Sequence, residues 1–333
     1  MIELASPAEV EPALAAEGFF GRDGWVARVF LAHRTGAPEP CPLPAAAVSI
    51  EREGAAPARA GAFAVGEWRR TWSDADYGAA VEAVRAAIRE GDVYQVNLVQ
   101  HLAADFAGDP HAVAAALAGL RPLEPRALCG DGWAVVSASP ELLLARRGRR
   151  VWTCPIKGTR PAGVPVESAK DAAEHVMIVD LERNDLSRVC EPGSVRWPEL
   201  LAERGLAGVT HLVSTVEGTL REEATLTGLL GAVFPGGSVT GAPKLAACAL
   251  IGALEPVGRG AAMGALGTIR PNGDLDLALT IRTFAIAHER IHLWVGGGIV
   301  WDSEPAAEIE ESWVKARPLL AALGSRVPEV AVA

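Results

Sequence analysis

Long apolar runs are missing from this 333-residue chain. Its longest, such as Leu229 to Phe234 and Leu245 to Leu254, fall short of the roughly 18 to 20 residues that span a bilayer, so no transmembrane helix is expected. The N-terminus lacks the basic start and apolar run of a secretion signal. No Cys-x-x-Cys spacing occurs among Cys41, Cys129, Cys154, Cys190 and Cys248, and a reducing cytoplasm is the expected compartment. Basic surplus is absent as well: 31 Lys and Arg face 41 Asp and Glu, for a net charge of −10. Phosphate backbones need clustered positive charge, so a general nucleic-acid binder is disfavoured. Any anionic ligand must be held by local groups working against the overall field.

What is present is an ordinary globular composition, 50% hydrophobic and 22% charged, with a mean hydropathy of +0.19. That length buries a substantial core and suits one large or two ordinary domains. With no internal repeat in view, the simplest division is a reduced N-terminal elaboration over 1–72, one large domain over 73–325 and a tail over 326–333.

Short strands are predicted at Trp25 to Leu31 and Ala46 to Ile50. Ser73 with Asp76 resembles a capping box, and Tyr77, Val81, Val84 and Ile88 follow at helical spacing until Gly91. A helix over Asp109 to Leu120 precedes a buried strand at Ala134 to Ser139. Leu142 to Ala145, a turn around Gly148 and Val151 to Thr153 read as a hairpin. Helices are predicted from about Ser168 to Val189, from about Pro243, and over Pro305 to Leu323. Strands are predicted at His211 to Thr219, Asp274 to Phe284 and Arg290 to Val295. Elements mix without a βαβ rhythm, which predicts an α+β fold.

Several constellations could carry chemistry. Asp171 with Glu174, and Glu308 with Glu311, each share one face of a predicted helix. Such faces suit magnesium, which takes oxygen ligands and keeps waters, and equally suit a solvated surface. The segment Phe234-Pro-Gly-Gly-Ser-Val-Thr-Gly-Ala-Pro-Lys244 fails the Walker pattern because Leu245 stands where Ser or Thr should bind a metal. It could still offer amides and the Ser238 and Thr240 hydroxyls to an anion, or be a turn before a helix. Gly296-Gly297-Gly298 lets amides approach a ligand or makes a tight turn, and Gly-x-Gly-x-x-Gly is absent. His211 opens an alternating strand, as structural histidines often do. Arg282 interrupts an apolar strand and needs a partner, for which a bound carboxylate is one candidate.

Lys157, in Cys154-Pro-Ile-Lys-Gly-Thr159, lies among apolar and small residues just after a strand. Desolvation there is expected to lower its pKa and leave a nucleophilic amine. The hairpin brings Glu141, in Ser139-Pro-Glu, to the same end, either as acid and base beside that amine or as its salt-bridge partner.

Together these segments resemble the chorismate-utilising enzymes, the family of anthranilate synthase component I, aminodeoxychorismate synthase component I and the isochorismate and salicylate synthases. The resemblance covers roughly residues 73 to 320. Besides the motifs above, it is carried by Gly91-Asp-Val-Tyr-Gln-Val-Asn-Leu98, Glu174-His-Val-Met-Ile-Val-Asp-Leu-Glu-Arg-Asn-Asp185 and His211-Leu-Val-Ser-Thr215. It implies an anthranilate synthase component I-like fold, with large mixed β-sheets and surrounding helices enclosing one active-site cleft. Within the family, the Pro155-Ile-Lys-Gly-Thr159 form implies the aminodeoxychorismate synthase branch, because anthranilate synthases usually carry Ala where Lys157 stands. The implied reaction is amination of chorismate: Lys157 attacks the ring as the hydroxyl leaves, ammonia displaces Lys157, and Glu141 is acid and base. His211 and Thr240 would line the pocket, while Arg282 and the amides near Gly297 and Gly298 would hold anionic groups. Lys244 would contact substrate or bridge to an acidic residue. The implied magnesium ligands are Glu174 and Glu311, supported by Asp171 and Glu308.

No Gly-x-Cys-x-Gly turn of a glutamine amidotransferase is present, so ammonia is expected from a separate subunit or from solution. Relatives often read Gly-Tyr where this chain has Gly267-Thr268, which puts one hydroxyl near the substrate in question. Tryptophan control is not expected, because a Leu-Leu-Glu-Ser-type element is missing. Anthranilate or isochorismate formation is the alternative chemistry, and a non-catalytic chorismate-binding subunit is the alternative of another class.

Overall fold

A computed structural model describes residues 1–56, 60–161, 169–206 and 209–326. The capping box forms as the sequence predicts: Ser73 accepts from the Asp76 amide at 3.1 Å while the Asp76 carboxylate accepts from the Ser73 amide at 3.2 Å. The helix Asp74–Glu90 runs on from it, buries Tyr77, Val81 and Val84, and ends at Gly91 with φ of 86°.

Two large sheets make the body of the molecule. The larger runs in the order Ile2–Leu4, Ala46–Arg52, Trp25–His33, Gly260–Ile269, Leu275–Leu279, Leu142–Arg147, Arg150–Cys154, Val209–Thr219 and Ile156–Pro161, with Arg196–Leu206 also pairing Val209–Thr219. The smaller is centred on Gln95–Gly108, Arg290–Ile299, Thr283–Ala287 and Trp133–Ser137. Among the described residues every pairing in both sheets is antiparallel. Residues 1–72 are not set apart from the rest, since Trp25–His33 pairs directly with Gly260–Ile269 inside the larger sheet.

Period-two alternation assigns the faces. Val135 packs between the sheets with Leu144, Leu266 and Leu277, whereas Ala134 and Val136 face the helices Pro110–Leu117 and Pro305–Ala322. Along Gln95–Gly108, Val96 and Leu98 pack under the helices Asp74–Glu90 and Lys244–Leu254. Gln95 and Asn97 consequently look the other way, into the space between the sheets. Each fully buried Leu or Val contributes roughly 1.5–3 kcal/mol.

The predicted strand at Asp274 to Phe284 is two strands. Leu275–Leu279 lies in the larger sheet and Thr283–Ala287 in the smaller, and the chain changes sheets at Thr280, Ile281 and Arg282, where φ of Arg282 is 50°. Hydropathy hides the break because both strands are buried on both faces. A second crossing runs beside it: Ala138 to Glu141 links Trp133–Ser137 to Leu142–Arg147. The Ala138 amide donates to the Arg282 carbonyl and the Leu279 amide to the Glu141 carbonyl, each at 2.9 Å.

Gly296–Gly298 is not a turn either. These glycines continue the strand Arg290–Ile299 against Gln95–Gly108, because Gly296 lies so close that a Cβ there would sit 1.9 Å from the Leu98 carbonyl. No helix among the described residues is long and apolar enough to cross a membrane.

Candidate active site

The paired crossings place Glu141 and Arg282 side by side where the two sheets meet. Ser137 and Thr283, the last and first residues of their strands, share a hydroxyl contact at 2.8 Å. The Ser139 hydroxyl accepts from the Glu141 amide at 3.2 Å, which sets the Ser-Pro-Glu turn. The Glu141 carboxylate, 5% exposed, accepts from the Ser238 hydroxyl at 2.7 Å. Burial raises its pKa, opposed by Ser238, Lys157, the Ile156 amide and Arg282. A carboxyl whose pKa burial raises and whose neighbours pull it back can take up a proton and release it. Burial likewise pulls the Arg282 guanidinium down, opposed by Glu141. Arg282 makes no ion pair within contact distance among the described residues, which leaves it available to an anion.

Lys157 enters from the strand Ile156–Pro161, and its Nζ lies 2.8 Å from Glu174 Oε1. The expected fall in its pKa does not occur. Burial lowers it, but the Glu174 charge and hydrogen bond, with Glu141 and Glu311 behind them, outweigh burial and raise it. In this arrangement Lys157 is an ammonium. The same Glu174 oxygen accepts from Gln95 Nε2 at 2.7 Å, and the Gln95 and Asn97 side-chain oxygens are buried with no partner.

The strand Arg290–Ile299 forms the floor. Its pairing with Thr283–Ala287 stops at Leu293, so Gly296 to Gly298 have a neighbouring strand on one edge alone. A Cβ on Gly298 would meet Gln95 Nε2 at 1.9 Å and Glu174 Oε1 at 2.7 Å. On Gly297 it would meet Glu311 Oε1 at 2.9 Å and Glu308 Oε2 at 3.5 Å. Missing side chains thus make the hollow in which carboxylates of the helices Ala169–Ser187 and Pro305–Ala322 come together. Among the described residues no three such groups are drawn close enough to hold a metal ion. Glu174 is turned to Lys157 and Glu311 to Lys315, which also donates to the Gly296 carbonyl at 2.7 Å. Glu174, Glu308 and Glu311 are oxygen donors that could hold a hard cation in this hollow where Lys157 and Lys315 turn away from them.

The Gly-rich loop closes the other side. Ser238 reaches Glu141, whereas the buried Thr240 hydroxyl turns back to the Gly236 carbonyl at 2.8 Å and holds the loop. Lys244 forms a bridge: it pairs with Asp185 and donates to the Pro235 carbonyl at 2.8 Å. Thr268 stands opposite Asp276 and Arg28, three residues beyond Ala265 along its strand, toward the exposed Asp276–Arg147 pair. The missing tyrosine therefore concerns the far end of the sheet from Glu141. The side chains of Asp171 and His211 lie outside the described residues. Ser238, offered by the sequence to an anion, donates instead to the Glu141 carboxylate, and Gln95 is a site residue that no charge or spacing signal in the sequence marks.

Lys157, Glu141, an arginine with no ion pair among the described residues and several carboxylates thus gather at the seam of two antiparallel sheets. The chain belongs to the chorismate binding enzyme family, whose sequence profile matches residues 27–321. It is 45% identical over 258 residues to anthranilate synthase component 1 of Thermus thermophilus, covering 73% of this chain and 56% of that protein. It is 41% identical over 271 residues to aminodeoxychorismate synthase component 1 of Klebsiella aerogenes, covering 78% and 60%. The chain thus matches less than two thirds of the length of these relatives. Anthranilate synthase component I from Streptococcus pneumoniae superposes with a TM-score of 0.77 at 27% identity, over 89% of this chain and 80% of that one. The menaquinone-specific isochorismate synthase of Escherichia coli, with a TM-score of 0.74 at 19% identity over 97% and 84%, shares the fold.

Proposed function

We propose that the chain aminates chorismate with ammonia to 4-amino-4-deoxychorismate, acting as an aminodeoxychorismate synthase component I. The observation that supports this reading is Lys157 itself, whose amine lies inside the cleft with Glu141 within its electrostatic reach. Lys157 becomes a nucleophile when its Glu174 contact is released and its proton passes to solvent water, because burial then favours the neutral amine. Its Nζ bonds to the ring while Glu141 protonates the departing hydroxyl. Ammonia then displaces Lys157 and leaves the pyruvyl group in place. Arg282 and the Gly297 and Gly298 amides would hold the carboxylates of chorismate. Glu174 and Glu311, with Glu308 and Asp171, would hold magnesium, which would neutralise a substrate carboxylate. Ammonia would come from a separate glutamine amidotransferase subunit or from solution, in the cytoplasm.

Anthranilate formation is the second reading, favoured by the 45% identity to a relative of that name against 41% to the aminodeoxychorismate synthase relative. Purified chain with chorismate, magnesium and ammonium separates the two. The expected product is one that added aminodeoxychorismate lyase converts to 4-aminobenzoate. Direct appearance of fluorescent anthranilate would overturn the amination reading.

A further inference from the structure

We propose that Glu182 is a positioning residue for Glu141: the two carboxyl groups share one proton, which Glu182 stores and Glu141 delivers. The proposal rests on the amination reading for its chemistry and on the following geometry for its placement.

Glu182 lies on the helix Ala169–Ser187, on the face turned to the larger sheet, and is 6% exposed. Its one hydrogen bond among the described residues comes from the Thr153 hydroxyl, at 3.1 Å to Oε2. Directly above it passes the Gly-rich loop, where a Cβ on Gly237 would sit 2.8 Å from Leu181 Cδ2 and 3.6 Å from Glu182 Cγ. The next residue of that loop, Ser238, donates to Glu141. A cavity of about 10 Å³, about the space of one water molecule, is lined by Thr153, Glu182, Asp185, Gly236 and Gly237.

The charges around it leave Glu182 without a cation of its own. Lys157 is taken by Glu174, and Lys244 by Asp185. The positive charges felt by Glu141 are those of Lys157 and, less strongly, Arg282. A buried carboxyl with no cation keeps its proton. Consistent with this, burial first and Glu141 second push Glu182 up to about 8, with Asp185 adding to the rise and Thr153 and Lys244 opposing it. Two buried carboxyls coupled in this way titrate as a pair.

The protons balance over the reaction. Before the first step the shared proton moves from Glu182 to Glu141. The ring C–O bond breaks as the bond from Lys157 Nζ to the ring forms, and the departing oxygen takes the Glu141 proton and leaves as water. The new cationic nitrogen offsets the two carboxylates. Ammonia then forms its C–N bond, Lys157 leaves as a neutral amine, and the surplus proton of the added nitrogen returns to the pair.

Glu182→Gln keeps the Thr153 hydrogen bond and removes the proton store. Ammonia-dependent turnover of chorismate is expected to fall about tenfold or more, with KM unchanged. The high-pH limb of kcat is expected to lie at lower pH than in the wild type, because Glu141 must then keep its own proton. Unchanged kcat and an unmoved limb would overturn the proposal. Infrared absorption of a protonated carboxyl, present in the wild type near neutral pH and lost in Glu182→Gln, gives a readout independent of turnover. Its absence from the wild type would also overturn the proposal. A wild type that shows this band and leaves chorismate untouched would sink the amination reading and uphold the carboxyl pair.

Discussion

Lys157 and Glu174 meet at 2.8 Å, so the residue read as the nucleophile and a residue read as a metal holder neutralise each other. The pair shows how one cleft can keep a lysine protected until the site is filled. Lys157→Ala is expected to lower ammonia-dependent turnover on the order of 10³-fold or more, with the fold retained. Steady-state kinetics with ammonium as the nitrogen source check this, and equal turnover by the variant would rule out a covalent role.

Gly298 and Gly296 separate function from structure on one strand. Gly298→Ala pushes against the mobile end of Gln95 and against Glu174, so it should cost about 1–3 kcal/mol in stability and about 10²-fold in turnover. Gly296→Ala drives a methyl into the Leu98 carbonyl, which the paired backbone cannot move aside. It should unfold the chain before it affects chemistry. Thermal melts beside kinetics for both variants test the contrast.

The Lys244 bridge makes a different prediction. Lys244→Met leaves Asp185, whose pKa burial already raises against the pull of Lys244, without its cation. About 3 kcal/mol should be lost, and Ser238 should lose its hold on Glu141 as the loop relaxes. Asp185→Asn combined with Lys244→Met should recover part of the stability. A double variant less stable than Lys244→Met would contradict the bridge.

His101 and His292 should govern acid stability. Their rings stack with Nε2 and Nδ1 3.0 Å apart, and burial, then neighbouring positive charge from Arg290 and for His101 also His292, lowers both pKa values. The unfolded chain takes protons at these sites near pH 6.5 while the folded chain does not. Their stabilisation is therefore complete above that pH and is lost as pH falls. Urea midpoints should drop between about pH 6.5 and 4, and imidazole resonances titrating normally in the folded protein would refute the idea.

Local signals were readable from the residues alone. Ser73 with Asp76 announces a helix start because a capping box is made by neighbours, and the Gly148 hairpin brings Glu141 and Lys157 together because turn residues act over a few positions. The α+β class and the family motifs were equally visible. Depth and long-range pairing were not. A buried strand reads the same whether it continues or changes sheets, which hid the break at Arg282. A lysine among apolar residues predicts a lowered pKa until the helix carrying Glu174 is placed beside it. Glu182 reads as one more helix charge until Gly237 is seen to rest on it.

The two chain crossings at Ala138–Glu141 and Thr280–Arg282 have a mechanical consequence. They sew the sheets together beside Glu141 and Arg282, joined by the hydrogen bonds from Ala138 to Arg282 and from Leu279 to Glu141. Sliding one sheet over the other would here pull Glu141 away from Arg282, so the seam resists shear at the very residues it brings together.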